Sequence, residues 1–382
     1  MPKPQADQAL FDYAIIGAGI AGASLAYQLA GQGSVLLLER ESQPGYHSTG
    51  RSAAMFMESY GTPTIRALTR ASRAFYETPP QGFADHPLMT PRGVLYIARE
   101  DQHELLAASF EELSKAAPNI EQISAATALA MVPVIKAEGL LGAIYEKDAQ
   151  DIDVHALHQA YLRGMRAKGG VLQNNAELVA ASHADDVWTL SFADGRTVQA
   201  RHVVNAAGAW ADVVAVHCGA LPVGLEPRRR SAFTFAAPQG QPSHDWPAVV
   251  GIDESFYFKP DAGQLLGSPA NADPVSPHDV VPEELDVAAG IYYIQEATTL
   301  NITRPSHTWA GLRSFVPDGD FVVGWDDACP NFFWLAAQGG YGIQTAAAVS
   351  ELACALLLRQ PVPARLQLQG VDAQALAPSR FR

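Results

Sequence analysis

Three glycines, Gly17, Gly19 and Gly22, and a carboxylate at Glu39 have the types and spacing to hold a dinucleotide. Gly17 lets the backbone turn sharply, Gly19 has no Cβ to keep the chain off a pyrophosphate, and Gly22 allows a helix to pack closely on a strand. Phosphates over such a turn meet the first amides of the following helix, where unpaired N–H groups and the helix dipole favour anions. Glu39 stands about 20 residues further on, where a carboxylate accepts hydrogen bonds from both ribose hydroxyls. Its charge repels a 2′-phosphate, which argues against NADP and leaves NAD and FAD.

The elements needed to place these groups are legible around them. Tyr13 to Ile16 read as a buried strand, Ile20 to Ala30 as a helix and Val35 to Leu38 as a second strand ending at Glu39. The segment Gly45 to Ala54 is small, polar and rich in donors, which suits a cofactor whose ribityl chain continues past the first helix. FAD is therefore the expected dinucleotide. A second turn from strand through glycine to helix is expected at Arg201 to Trp210, and a third at Gly339 to Gly342 before a helix from Ile343 to Leu358. Between them, the pattern predicts helices over Thr64 to Glu77, Glu100 to Ala116 and Asp153 to Lys168. Strands are expected over Pro91 to Ala98, Val171 to Ala181, Val187 to Phe192 and Thr197 to Ala200, with a hairpin turn at Ala193 to Arg196. The class is mixed α/β.

Composition bounds the function. The chain has 382 residues, 48% of them apolar, and a net charge of −14. That length admits two domains or one large interleaved body. An acidic chain is a poor partner for nucleic acid. Cys218, Cys329 and Cys354 form no CxxC pair and no metal-ligand spacing, so no metal is expected and a reducing cytoplasm is the expected compartment. Met1 to Gln8 show no apolar signal-peptide core, and no long uncharged apolar stretch follows, so a soluble protein without a transmembrane segment is expected.

Several segments together resemble the glycine oxidase and D-amino acid oxidase group of flavoproteins, bacterial D-arginine dehydrogenases most of all. They are Gln43 to Ala54, Val204 to Trp210, Arg229 to Phe233, Asp253 to Tyr257, Gly267 to Pro274, Gly311 to Phe315 and Gln338 to Gln344. The resemblance implies non-covalent FAD and oxidation of the Cα–N bond of an amino acid, with a quinone, dye or oxygen as electron acceptor. It implies a Rossmann-like FAD domain of the glutathione reductase type, made of residues 11–90, 148–218 and 306–375. A substrate domain on a large mixed sheet would comprise 91–147 and 219–305. Implied cofactor contacts are Gly17, Gly19, Ala21, Gly22, Glu39, Arg40, His47, Ser48, Thr49, Ser52, Ala53, Ala54, Met55, Leu178, Ala207, Gly208, Gly340, Tyr341, Gly342, Ile343 and Gln344.

An enzyme that takes hydride from an amino acid must hold the carboxylate so that the Cα–H faces the flavin, and a guanidinium is the best rigid clamp. Arg230 and Arg313 match the family arginines with that role, Tyr60 and Tyr257 match tyrosines that close the pocket, and Gly340 matches a backbone contact to substrate. Two departures bear on the side chain accepted. D-arginine dehydrogenases carry a glutamate shortly after the pair corresponding to Pro91-Arg92, whereas Gly93, Val94 and Leu95 follow here. Met55 and Met57 replace more polar residues, which makes that wall apolar. Glu58 and Glu254 are the nearby acids that could receive a basic side chain. Some oxygen-reactive relatives have a lysine near the flavin on the strand corresponding to Gly263 to Gly267, and Leu265 takes its place here. The expected activity is oxidation of D-amino acids to imino acids, which water hydrolyses to 2-oxo acids and ammonia. Oxidation of secondary amines such as sarcosine is the enzymatic alternative, and a non-catalytic or tRNA-modifying flavoprotein is the alternative of another class.

Overall fold

The structure, a computed structural model, describes residues 10–117 and 119–382. The N-terminal reading at Met1 to Gln8 lies outside the described residues. Two large sheets organise the chain. The first is parallel at its centre: Leu10–Ile16 lies between Val35–Leu38 and Thr197–Asn205, with Ile15 opposite Leu37 on one side and Val204 on the other. Val171–Gln173 extends one side, and Phe332–Ala336 pairs in parallel with the end of Thr197–Asn205. Such strands, buried on both faces, read as continuous apolar runs, as Val35–Leu38 does.

Helices cover one face. Ile20–Leu29 packs against Val154–Ala167 and Gly342–Leu357, and the last also packs against Pro63–Glu77. Gly342–Leu357 is buried along nearly its whole length, with Ala346, Ala347, Ala348 and Ala353 allowing close approach. Pro63–Glu77 starts on Thr62, whose hydroxyl accepts from the Ile65 amide at 3.2 Å, with Pro63 in the first turn. Ile65, Leu68 and Ser72 share its buried face as the spacing predicts.

The second sheet is mixed and runs Asp273–Pro274, Glu226–Phe235, Gln264–Ser268, Tyr257–Asp261, Ala248–Gly251, Val94–Arg99, Leu140–Glu146, Ile120–Ser124. His307–Phe315 pairs antiparallel with Glu226–Phe235, from Glu226 opposite Phe315 to Thr234 opposite His307. That moves one expected boundary: residues 307–315, assigned from sequence to the FAD part, are a strand of the second sheet. The reading missed it because a strand crossing between units carries no compositional mark.

Two further expectations change. Val171 to Ala181 is two strands, Val171–Gln173 and Leu178–Ala184, because Asn175 takes a left-handed φ of 52° and the chain turns back to bond Glu39 and Glu41. Thr197 to Asn205 is one continuous strand. Among the described residues, no helix is long and apolar enough to cross a membrane, and no group of three His, Cys, Asp or Glu side chains is arranged to hold a metal ion.

The glycine turn is sterically locked. A Cβ at Gly22 would meet the Gly17 carbonyl oxygen, and one at Gly17, whose φ is 102°, would meet the Ala206 carbonyl. Gly22→Ala is expected to cost about 1–3 kcal/mol by forcing helix and strand apart. Thermal melting and FAD content per chain check this; an unchanged melt with one FAD bound would contradict the close-packed turn.

Candidate active site

A continuous cleft with about 1680 Å³ of empty space, its mouth included, runs from the glycine turn to the second sheet. Gly17, Gly19 and Ala21 line one end with Glu39 and Arg40; Leu178, Ala207, Gly208 and Trp210 close its side. Glu39 is 7% exposed, and its carboxylate accepts from the Ala18 amide at 3.1 Å and the Glu41 amide at 3.0 Å. Burial pushes its pKa up while these amides oppose. The amides fix both carboxylate oxygens at the end of the Val35–Leu38 strand, where a ribose would lie.

The donor-rich segment is tied down by its own side chains. Thr49 Oγ1 accepts from the Ile20 amide at 3.0 Å, leaving the first-turn amides of Ala21 and Gly22 without partners inside their helix. Ser48 donates to the Leu312 carbonyl at 2.6 Å, and His47 Nε2 lies 3.0 Å from Glu41 Oε1 with its ring against Trp210. His47, Ser48, Thr49, Ser52 and Ala53 line the cleft. Arg51, to which sequence reasoning gave no role, bonds the Val280 and Ala310 carbonyls and pairs with Asp279 at 2.5 Å, which fastens this segment to the second sheet.

Gln338 was also missed. It lines the cleft, and its Nε2 is a buried donor with no partner among the described residues. An orphaned donor of this kind, beside glycines that leave room for a ligand backbone and a fixed carboxylate, fits a flavin dinucleotide. Its only sequence signal was membership of the segment Gln338 to Gln344. Within that segment Gly340, Gly342 and Ile343 line the cleft. Gln344 is directed elsewhere, with its amide bonded to Met57 and Thr69. Ala54 packs on the helix-covered core, and Met55 packs beside Val94, Tyr96, Ala248 and Ile252. These three residues are not among those lining the cleft.

At the other end the paired strands Glu226–Phe235 and His307–Phe315 present two arginines. Arg230 lies opposite Gly311, and Arg313 lies opposite Arg228. With a two-residue repeat, Arg230 and Arg313 therefore project from the same face. Both line the cleft, as does Tyr257. Arg229, pointing the other way, is held by Asp273, Glu283 and Asp286. Among the described residues neither Arg230 nor Arg313 has a carboxylate within ion-pair distance. Arg230 Nε donates to the Asn271 carbonyl at 2.5 Å, and Arg313 Nη1 donates to the Tyr60 phenol at 3.3 Å.

Burial and then the neighbouring Arg313 charge pull the Arg230 pKa down. Burial acts the same way on Arg313, but the Tyr60 and Tyr257 phenols outweigh it and its pKa rises. Tyr257 would titrate higher for its burial, yet Arg313 and Arg230 bring it below the usual phenol range. A Cβ at Gly340 would stand 2.9 Å from Arg313 Nη1, so the glycine backbone lies directly against that guanidinium.

Tyr60 and Tyr341 meet edge to face, with centroids 4.9 Å apart, and border a second, polar cavity with Ser59, Arg66, Tyr96 and Glu254. Burial lifts the Tyr341 phenol well above its usual range. Of the two acids near the pocket, Glu58 pairs with Arg73 at 2.6 Å and Glu254 is exposed with a left-handed φ of 57°. The expected site of a missing lysine also shifts. Leu265 points into the core with Phe233 and Phe258, while Leu266 lies opposite Lys259 on the Tyr257 face. Lys259 is on that face, but it is 2.6 Å from Asp151.

The chain matches the family described as DAO, FAD dependent oxidoreductase, over residues 12–356. Glycine oxidase of Bacillus licheniformis is 25% identical over 374 residues, covering 92% of this chain and 94% of that protein. N-methyl-L-tryptophan oxidase of Escherichia coli is 22% identical and covers 90% of this chain and 94% of its own. Among solved structures, glycine oxidase from Geobacillus kaustophilus superposes with a TM-score of 0.83 at 20% identity, covering 97% of this chain and 98% of that one. L-Proline dehydrogenase from P. horikoshii gives 0.81 at 20% identity with the same coverage. With the glycine turn, the fixed Glu39 and the arginine pair at the end of the same cleft, the chain belongs to the DAO family of FAD-dependent oxidoreductases.

Proposed function

We propose that this protein oxidises the Cα–N bond of D-amino acids with apolar side chains, giving imino acids that hydrolyse to 2-oxo acids and ammonia. The observation that carries the reading is the pair Arg230 and Arg313, two guanidiniums without carboxylate partners at the end of the cofactor cleft. Bound FAD, held without a covalent link by the residues of the glycine turn, Glu39, the Ser48 segment and Gln338, supplies the hydride acceptor. Arg230 and Arg313 bind the substrate carboxylate by charge-assisted hydrogen bonds, which is worth about 1.5–3 kcal/mol for each such bond. Tyr60 and Tyr257 flank the carboxylate and keep water from the clamp. Gly340, with no Cβ, lets its backbone lie against the Arg313 guanidinium without displacing it.

The side-chain preference is drawn from the apolar packing around Met55, which stands outside the lining of the cleft itself. Met55 and Met57 pack with Val94, Tyr96 and Val250 in one apolar cluster, and Glu58 is already paired with Arg73. A cationic side chain packed on that cluster would lose water and gain no carboxylate from it, and Glu254 stands apart on the polar cavity beside Tyr60. The names of the relatives favour a second reading, oxidation of glycine or N-alkyl amino acids, which uses the same clamp on a smaller or secondary amine.

Mixing the FAD-loaded protein anaerobically with D-amino acids, L-amino acids, glycine and sarcosine separates these readings. Loss of the flavin band with D-methionine, D-leucine or D-phenylalanine, and less with D-arginine, is the expected result. Bleaching by sarcosine or glycine alone would establish the second reading, and a hundredfold preference for D-arginine or D-lysine would refute the apolar wall. Arg230→Ala and Arg313→Ala should each lower kcat/KM by roughly tenfold or more, through KM, with FAD retained. Unaltered kinetics in both variants would remove the clamp.

Reduced enzyme is expected to pass electrons to dyes or quinones faster than to oxygen. Leu265 and Leu266 provide no charge to stabilise developing superoxide, and Lys259 is paired with Asp151. Stopped-flow reoxidation in air-saturated buffer that kept pace with dye turnover would identify an oxidase instead.

A further inference from the structure

We infer that Glu146 is a positioning residue for carboxylate binding: it anchors Ser59 so that the adjacent Tyr60 stays against Arg313. The inference rests on the clamp reading above. Glu146 ends the strand Leu140–Glu146, opposite Val94 on one side and Ile120 on the other, and is 3% exposed. Its neighbours on that sheet face are Val94, Tyr96, Ile120 and Ile144, and among the described residues no Lys, Arg or His lies within ion-pair distance of it. A carboxylate buried in such surroundings is tolerated only where hydrogen bonds replace its water.

Ser59 provides those bonds with both of its donors. Its hydroxyl donates to Glu146 Oε2, and its amide donates to Oε1 at 3.3 Å. Ser59 is itself 1% exposed, and both of its donors are turned to the carboxylate. Other ties hold the segment just before it: Met57 exchanges bonds with the Gln344 amide, and Glu58 pairs with Arg73. Glu146, with the Tyr96 phenol beside it, holds Ser59, the residue before Tyr60. The Tyr60 phenol then accepts from Arg313 at 3.3 Å, and its ring rests on Tyr341. A carboxylate on a distant strand of the sheet that carries the arginines thus reaches the clamp through two adjacent residues of one turn, without touching substrate.

The test uses FAD-loaded wild type, Glu146→Ala, Glu146→Gln and Ser59→Ala. Three quantities are measured: hydrogen exchange of residues 57–61, the Kd of benzoate as a carboxylate probe from its perturbation of the flavin spectrum, and kcat and KM. Glu146→Ala is expected to raise exchange at 57–61, weaken benzoate by about tenfold and raise KM by a similar factor, with kcat within about twofold of wild type. Glu146→Gln, which can still accept from the Ser59 amide, should recover most of the benzoate affinity. Adding Ser59→Ala to Glu146→Ala should change little more, because the two act as one unit. Unchanged exchange in Glu146→Ala overturns the anchor. So does raised exchange with wild-type benzoate affinity, or a kcat that falls as far as KM rises. If Glu146→Ala does not fold, Ser59→Ala decides by the same readings. If wild type binds no benzoate, the clamp reading fails, while the exchange data still decide whether Glu146 holds the turn.

Discussion

Two guanidiniums side by side in a half-buried site, with no carboxylate among the described residues within ion-pair distance of either, are the constraint around which the rest is arranged. Leaving a buried charge without its partner typically costs about 3–5 kcal/mol. A fold keeps such an arrangement only if its scaffold is rigid and its own acids are held elsewhere. Both conditions are met here. The arginines project from two paired strands, and the nearby acids Asp273, Glu283 and Asp286 are all engaged by Arg229 on the opposite face. The Asn271 carbonyl and the Tyr60 phenol satisfy one donor of each arginine and leave the remaining donors for an anion.

Rigidity at the clamp has to be shared with the cofactor cleft, because the two ends come from different sheets. The Gly45 to Ala54 segment joins them. Thr49 holds the first turn of the Ile20–Leu29 helix, Ser48 holds the Leu312 carbonyl beside Arg313, and Trp309 Nε1 donates to the Arg51 carbonyl at 3.0 Å. Binding a dinucleotide at one end therefore orders the same segment that fixes the strand carrying Arg313. Hydride transfer demands that kind of coupling, since a displacement of about 1 Å between donor and acceptor is costly.

The nucleotide end was legible in the sequence because its chemistry is local: one turn, one helix N-terminus and one acid fall within Gly17 to Glu39. The arginine clamp was legible only through resemblance. Nothing in Arg228-Arg229-Arg230 says which guanidinium lacks an acid, and the answer depends on the Glu284–Ala297 helix and the Asn271 turn packed against them. The role of Glu146 was invisible for a similar reason. A glutamate closing a strand reads as a solvated edge, and its burial follows from pairing with Val94 and Ile120, one of them far away in sequence. The strand His307–Phe315 was assigned to the wrong unit because sheet membership is a property of pairing, which periodicity alone cannot supply.

The same charges that hold a carboxylate also bear on the amine beside it. On the proposed reading, a substrate brings one negative charge to two positive ones, and the excess positive charge disfavours an ammonium group nearby. The neutral amine, the form with a lone pair to support departure of hydride from Cα, is thereby the better ligand. Two arginines serve the reaction twice on this account, by fixing the carboxylate and by easing the amine proton into solvent. On that reading a site walled by guanidiniums, phenols and a glycine backbone needs no dedicated general base. It also explains why Tyr257, with its phenol already drawn downward by Arg313 and Arg230, suits the wall better than a full carboxylate would. A carboxylate at that place would cancel the excess charge and leave the ammonium form bound.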